Sequence, residues 1–148
     1  MIKRYVFWFK TASILQLLTG FFHALSFLHG PLPENDEERH LFDLMYGYKF
    51  DLGFGFIRSM VDIMNSLSIT FSLFLFFSGL LNLFILKNDL PKKTIKGVIL
   101  INLFAYSLCL ITMMLLTFLP PIVCIALIDI SLLIAFCLLL REKVSYEE

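Results

Sequence analysis

Charged residues are scarce in this sequence, at 16% of its 148 positions. A typical soluble domain carries about 25% charged residues and about 45–50% apolar ones. Here the apolar share is 59%, and the chain contains 17 phenylalanines. Such a surplus is too large for the core of an ordinary soluble domain of this length, because little polar surface is left to cover it. The composition therefore indicates a protein of the lipid bilayer.

The motifs that usually carry enzyme chemistry are also missing. We find no glycine-rich phosphate loop, no nucleophile elbow, no zinc-ligand spacing and no basic stripe for nucleic acid. The three cysteines, Cys109, Cys124 and Cys137, all lie inside apolar runs, which is typical of buried apolar cysteine and not of disulfides or redox pairs. We predict no cofactor and no metal site, and the sequence favours a protein that is not an enzyme.

What the sequence does have is four long apolar runs. They cover about residues 5–28, 67–86, 97–118 and 121–140. A helix of about 20 residues crosses a hydrocarbon core of about 30 Å, so all four are long enough. The first run is too long for a cleaved signal peptide and is interpreted as a retained signal-anchor helix. We therefore predict an all-α fold, an integral membrane four-helix bundle that forms one domain over residues 1–148.

The basic residues predict the orientation of these four spans. Nine of the 12 lie at the N-terminus, in the 87–96 connection or in the tail, and only Arg39, Lys49 and Arg58 lie in the long segment 29–66. Cytoplasmic loops of membrane proteins carry an excess of Lys and Arg. We expect a multi-pass protein of the cell (inner) membrane, with both termini in the cytoplasm and segment 29–66 outside.

Segment 29–66 is the only sizeable part outside the apolar runs. Acidic residues open it and Leu41 and Leu44 follow at helical spacing, which predicts a short amphipathic helix over 33–46 on the outer membrane surface or against the bundle. The aromatic, glycine-rich stretch 50-FDLGFGF-56 is predicted to be an irregular turn. Arg58 and Asp62 are four residues apart, so we expect them to pair on a helix that leads into the second span.

Asp129 lies near the middle of the fourth apolar run. A carboxylate inside a membrane helix is costly and marks a functional-site hypothesis by default. It lies about 12 Å from the outer end of its span, and His23 lies about 7–8 Å from the outer end of the first span. If the two spans are neighbours, a hydrogen bond between His23 and Asp129 is geometrically possible. The pair then either carries protons or polarises a ligand, or it is only a structural bond between helices.

Amide side chains also occur within the apolar runs. Asn82 and Asn102 each lie four or five residues from the cytoplasmic end of a span, and Gln16 lies within the first span. Polar side chains of this kind hydrogen-bond between membrane helices. We interpret all three residues as interhelical polar contacts.

One set of residues resembles a known family. The matching positions are Gly20 and His23, then Arg58, Ser59 and Asp62, then Ser66 and Ser68. Together they resemble an uncharacterised family of small four-span bacterial membrane proteins. The chain departs from the family pattern, since Gly20 and His23 are not adjacent, Ile63 replaces a Phe, and Ser66 and Ser68 replace glycines. The resemblance implies a four-helix membrane fold, with His23, Arg58 and Asp62 together at the outer mouth.

These observations define one candidate polar pocket and three competing functions. The pocket would open outward and be lined by His23, His29, Asp51, Arg58, Asp62 and Asp129. The first function is a non-catalytic accessory or interaction subunit, bound to other membrane proteins or to itself as a homo-oligomer. The second is a small-molecule or proton carrier that uses Asp129. The third is a lipid-active or quinone-active membrane enzyme with an outward-facing pocket.

Overall fold

The computed structural model describes residues 4–26, 32–88 and 90–144. Over these ranges the chain forms five helices and two short strands. In chain order they are α1 (Arg4–Leu25), α2 (Asp36–Gly47), β1 (Lys49–Asp51), β2 (Ile57–Ser59), α3 (Met60–Lys87), α4 (Lys92–Leu116) and α5 (Leu119–Val144). The predicted helical class is therefore confirmed, with one small hairpin added.

Three helices in the described ranges are long and apolar enough to cross a membrane: α3, α4 and the stretch Leu119–Glu142 of α5. Their lengths of 28, 25 and 24 residues correspond to about 36 Å or more at 1.5 Å per residue. Helix α1 has 22 residues, a sufficient length, but Arg4, Lys10 and Gln16 make it more polar than the other three. The first of the four predicted spans therefore stays a prediction.

Helix α2 begins at Asp36, three residues later than the sequence predicted. Asn35 is its N-cap, and the Asn35 side chain accepts a hydrogen bond from the Glu38 backbone N–H at 2.8 Å. The Glu38 carboxylate in turn accepts from the backbone N–H of Glu34 at 2.8 Å. The Asn35 cap and the second hydrogen bond together fix the first turn of the helix, so Pro33 and Glu34 lie before it.

The chain divides into two compact units. The first, which we call the helical unit, comprises the residues up to Thr19 and those from Leu75 onward. The second, the hairpin unit, is Gly20–Phe74.

In the helical unit, α4 and α5 run antiparallel. Lys92 at the start of α4 forms a salt bridge of 3.3 Å with Glu142 near the end of α5. One turn further on, the Lys96 ammonium lies 6.0 Å from the ring centroid of Phe136. The buried face of α5 repeats at alternating steps of three and four residues, the spacing of helices that pack side by side. Its apolar members are Ile125, Ile128, Leu132, Ala135 and Leu139.

Helices α1 and α3 approach each other closely at Gly79. A Cβ atom added to Gly79 would lie 2.9 Å from the Ser13 carbonyl oxygen and 2.8 Å from Leu17 side-chain atoms. Small residues allow helix backbones to come this near in membranes. Gly79 therefore sets the distance between the two helices in the helical unit.

In the hairpin unit, β1 and β2 pair antiparallel, with Phe50 opposite Arg58. The turn between them uses three positive φ angles, 84° at Gly53, 53° at Phe54 and 81° at Gly55. Glycine adopts such angles at no steric cost, which is why two glycines flank the tip. The expected irregular turn over 50–56 is thus replaced by a strand pair with a tight reversal, and Phe54 at its tip is fully exposed.

Candidate functional site

A cluster of amide side chains joins three helices of the helical unit, and we call it the amide network. Asn82 of α3 donates to Gln16 Oε1 of α1 at 3.0 Å and to Asn102 Oδ1 of α4 at 2.9 Å. Asn102 returns a hydrogen bond to Asn82 Oδ1 at 3.2 Å. Gln16 and Ser78 also donate to Asn102 Oδ1, at 3.3 Å and 3.2 Å. The structure thus brings together the three predicted interhelical residues and Ser78, which also lies in the second apolar run.

The amide network satisfies its own hydrogen-bonding groups. Both Asn102 N–H donors are used, since the second one reaches the Val98 carbonyl at 2.9 Å. Gln16 and Asn82 are almost completely buried. Among the described residues, no buried side-chain nitrogen or oxygen lacks a partner. A closed set of neutral hydrogen bonds holds helices in register and leaves little to offer a ligand.

Asp129 lies on α5 beside Ser107 of α4. The Ser107 hydroxyl lies 3.0 Å from Asp129 Oδ1 and 3.2 Å from Oδ2, so it donates to the carboxylate. From the turn that joins the two helices, Ser107 is about 14 Å back along α4 and Asp129 about 15 Å along α5. The two residues therefore meet at the same depth of an antiparallel helix pair.

The Asp129 side chain lies at the border of the buried face of α5. Ile125 and Leu132 on one side of it are buried, whereas Ile130 and Leu133 on the other side are about half exposed. A single hydroxyl offers one proton, and a carboxylate has about four lone-pair positions. Part of the acceptor capacity of Asp129 is thus directed toward the helix surface.

The hairpin unit contains a groove of about 640 Å³ at the point where β2 leads into α3. We call it the hairpin groove. Its lining combines a guanidinium, a carboxylate, an amide and a hydroxyl with branched apolar side chains: Leu52, Arg58, Asp62, Ile63, Asn65, Ser66 and Ile69.

Asp62 caps the start of α3 and does not form the predicted pair with Arg58. Its carboxylate accepts from the Ser59 backbone N–H at 2.9 Å and lies 3.4 Å from Lys49 Nζ. The Ser59 hydroxyl accepts from the Asp62 backbone N–H at 3.1 Å, which completes a reciprocal cap. The hydrogen bonds at Ser59, and more weakly Lys49, lower the pKa of Asp62, which precedes the apolar run 67–86. The residue therefore stays ionised into acid solution.

Arg58 lies on β2, not on a helix, because the strand pair extends to Ser59. One of its guanidinium N–H groups donates to the Ile57 carbonyl at 2.8 Å, and its Cζ atom lies 5.8 Å from the Phe56 ring centroid. Among the described residues, it takes part in none of the salt bridges.

The other predicted pocket residues lie in different surroundings. His23, near the end of α1, is half-buried, and its ring packs edge-on against Phe71 at 5.5 Å between centroids. Asp51 accepts from the Gly53 backbone N–H at 2.8 Å and so belongs to the hairpin turn. His29 lies outside the described residues. A pocket shared by all six residues, and a hydrogen bond from His23 to Asp129, stay predictions.

Two residues were missed by the sequence analysis. Ser107 was detectable, because it lies almost as far before the 117–118 turn as Asp129 lies after it, and an antiparallel pair must bring such positions together. Lys49 carried no signal, since only the strand register places it opposite Ser59 and thus near Asp62.

Comparisons with known proteins do not identify the chain. No family model, no curated protein and no solved structure matches the chain. Inference about function therefore rests on the chain's own residues.

Proposed function

We propose that this chain is a small integral membrane protein with four spans and that it acts as a non-catalytic interaction subunit of a membrane complex. Large apolar side chains on the helices support the membrane location. Phe104, Leu115 and Leu116 on α4, for example, expose well over half of their surface. Such helices are stable when lipid or another protein covers them, but not as surfaces in water.

The distribution of charge supports cytoplasmic termini. Lys92 and Lys96 at the start of α4 lie beside Glu142 and Phe136 near the end of α5. The basic 87–96 connection and the end of α5 therefore lie at one end of the helix pair. An excess of positive charge there fits the cytoplasmic side.

The partly exposed carboxylate of Asp129 is the observation that carries the interaction proposal. Acidic side chains within membrane helices face a protein interior or a wet cavity, and they pair with other polar groups. Ser107 supplies one donor, and apolar residues surround the open side. A donor from a neighbouring helix, either of another subunit or of a second copy of this chain, would complete the site. The surface around Asp129 is accordingly the proposed contact surface.

A carrier of protons or small molecules is the second candidate, and the same residue favours it. A carboxylate at mid-depth can bind and release a proton. The amide network, however, contains no titratable side chain that could pass a proton toward Asp129, and its groups bond to one another. The interaction subunit therefore explains more of the polar groups in these helices.

Native mass spectrometry of the protein, extracted gently from its own membrane, tests the proposal. The wild type should be detected with a stoichiometric second subunit or as a homo-oligomer. Asp129→Leu should lose that association while circular dichroism still reports a folded helical chain. Asp62→Asn is the matched control, since it removes a carboxylate outside the apolar runs, and it should assemble normally.

A wild type that is detected only as a monomer, or an Asp129→Leu variant that assembles like the wild type, would contradict the interaction proposal. If the wild type is only a monomer, a transport assay in reconstituted vesicles tests the carrier function. Proton uptake that is present in the wild type and lost in Asp129→Asn would then assign transport.

A further inference from the structure

The hairpin groove is lined by polar and apolar side chains together. Arg58 lies at one end, just before the first residue of α3. Ile69 lies about 14 Å along α3 from Met60, by the helical rise per residue, and already belongs to the apolar run 67–86. Asn65 and Ser66 lie between the two. The groove therefore connects a cationic end with an apolar wall.

Arg58 has hydrogen-bonding capacity to spare at the polar end. A guanidinium carries five N–H donors in a fixed fork, and the structure gives one of them to the Ile57 carbonyl. The nearby carboxylate of Asp62 does not use the rest, because Ser59 and Lys49 hold it. Arginine binds phosphate through two parallel N–H bonds, so an anion with phosphate geometry fits this end.

The apolar wall excludes a small free anion as the best occupant. Leu52, Ile63 and Ile69 gain nothing from inorganic phosphate, whereas an acyl chain would cover them. The volume of about 640 Å³ is in the range of ligand pockets, about 300–1,000 Å³. It holds a headgroup with the first part of a chain, and the remainder of the chain would continue along α3 into the bilayer.

We propose that the hairpin groove is a phospholipid site, with the phosphate on the Arg58 guanidinium and one acyl chain along Ile63 and Ile69. This inference goes beyond the proposed interaction subunit and does not depend on it. A phospholipid held at the base of the hairpin would anchor β2 and the start of α3 at headgroup depth.

Lipid titration followed by native mass spectrometry tests the site in purified, delipidated full-length protein. The probes are dioleoylphosphatidylglycerol, dioleoylglycerol, which has the same chains but no phosphate, and inorganic phosphate. We expect one phosphatidylglycerol to bind at least tenfold more tightly than dioleoylglycerol. Inorganic phosphate at millimolar concentration should not compete. Competition by inorganic phosphate would make the groove a simple anion site and overturn the lipid assignment.

Two variants locate the binding. Arg58→Gln should weaken phosphatidylglycerol binding about tenfold, and Arg39→Gln, which removes an exposed arginine of α2, should leave it unchanged. Ile69→Trp should also weaken binding by filling the apolar wall without altering charge, and it serves as the second test if Arg58→Gln is unfolded by circular dichroism. Equal losses from Arg39→Gln and Arg58→Gln, or wild-type binding by both groove variants, would overturn the proposal. Failure to find a partner subunit would leave this result unaffected.

Discussion

The amide network and Asp129 are two polar sites in the helical unit, and they are built in opposite ways. In the network, three amides and a hydroxyl are neutral and exchange hydrogen bonds with one another across α1, α3 and α4. Asp129 is an acid, has one hydroxyl as a donor, and lies at the edge of the packed face. The amide network is therefore suited to holding the helices of this chain together, and Asp129 is suited to binding another molecule.

This difference gives the two sites different expected responses to mutation. Removing a member of a closed network leaves its partners buried without hydrogen bonds, which costs folding free energy. Removing a group whose acceptors are only partly used costs the fold little and instead affects whatever the group binds.

Asn82→Ala should cause the largest loss of stability. The change deprives Gln16 Oε1 of its donor and Asn102 of its reciprocal partner, and it leaves a small void. We expect a loss of about 2–3 kcal/mol, measured as the free energy of denaturation in detergent micelles. Asn65→Ala on the exposed part of α3 is the control and should change little. Equal losses from both variants would show that the network is not the stabilising element.

Gly79→Ala should come next. Its Cβ would meet the Ser13 carbonyl oxygen, which is backbone and cannot rotate away. Forcing α1 and α3 apart should cost about 1–2 kcal/mol and weaken the network that the close approach permits. Gly97→Ala on α4 is a matched control, because nothing lies within 4 Å of its added Cβ. It should stabilise the protein by about 0.5–1 kcal/mol through helix propensity.

Asp129→Asn should change stability by less than about 1 kcal/mol. The amide oxygen still accepts from Ser107, and the variant carries no charge into the apolar helices. The same denaturation measurement checks this expectation, alongside the loss of assembly expected from Asp129→Leu. A destabilisation as large as that of Asn82→Ala would make Asp129 a structural residue and abolish the contrast between the two sites.

Protonation of Asp62 should have the smallest effect on stability, and the effect should be confined to the start of α3. Because its pKa is lowered in the fold, its cap contributes stability at neutral pH and loses that contribution as pH falls through the lowered value, below the ordinary Asp range of about 3.9. The backbone amide resonance of Ser59 should report this transition in micelles by NMR. Asp62→Asn should abolish the titration at Ser59 and lower the global denaturation midpoint only slightly, because the asparagine oxygen can still accept from the Ser59 backbone N–H. A Ser59 resonance that titrates equally in the variant would assign the effect to another group.

Much of the fold followed from the length of the apolar runs. The runs 67–86 and 121–140 lie within α3 and α5, and the run 97–118 extends two residues past the end of α4 at Leu116. All three helices are apolar enough to cross a membrane. The hairpin was missed because its strands, Lys49–Asp51 and Ile57–Ser59, are only three residues long, too short for an alternating pattern to be recognised. Gly53 and Gly55 led to the prediction of an irregular turn, but their positive φ angles permit the tight turn between β1 and β2.

The candidate sites were harder to predict. Asn82, Asn102 and Gln16 stood out as amides in apolar runs, and Asp129 as an acid. Their hydrogen-bond partners could not be predicted from the sequence, because a hydrogen bond depends on which helix faces point toward each other. The Arg58–Asp62 pair was expected because residues four apart on a helix lie on the same face. Arg58 lies on β2, however, so the two residues do not share a helix.

The sequence by itself determined that the chain is mainly helical and that a few polar residues lie within its apolar runs. Of the four spans that it predicted, three lie in helices long and apolar enough to cross a membrane. These properties depend on residue type and on distance along the chain. Tertiary structure alone decided that Asn82 closes a network while Asp129 stays partly open, and that Asp62 pairs with Lys49 and leaves Arg58 donors unused. Those outcomes depend on helix contacts and strand register, which join residues far apart in sequence.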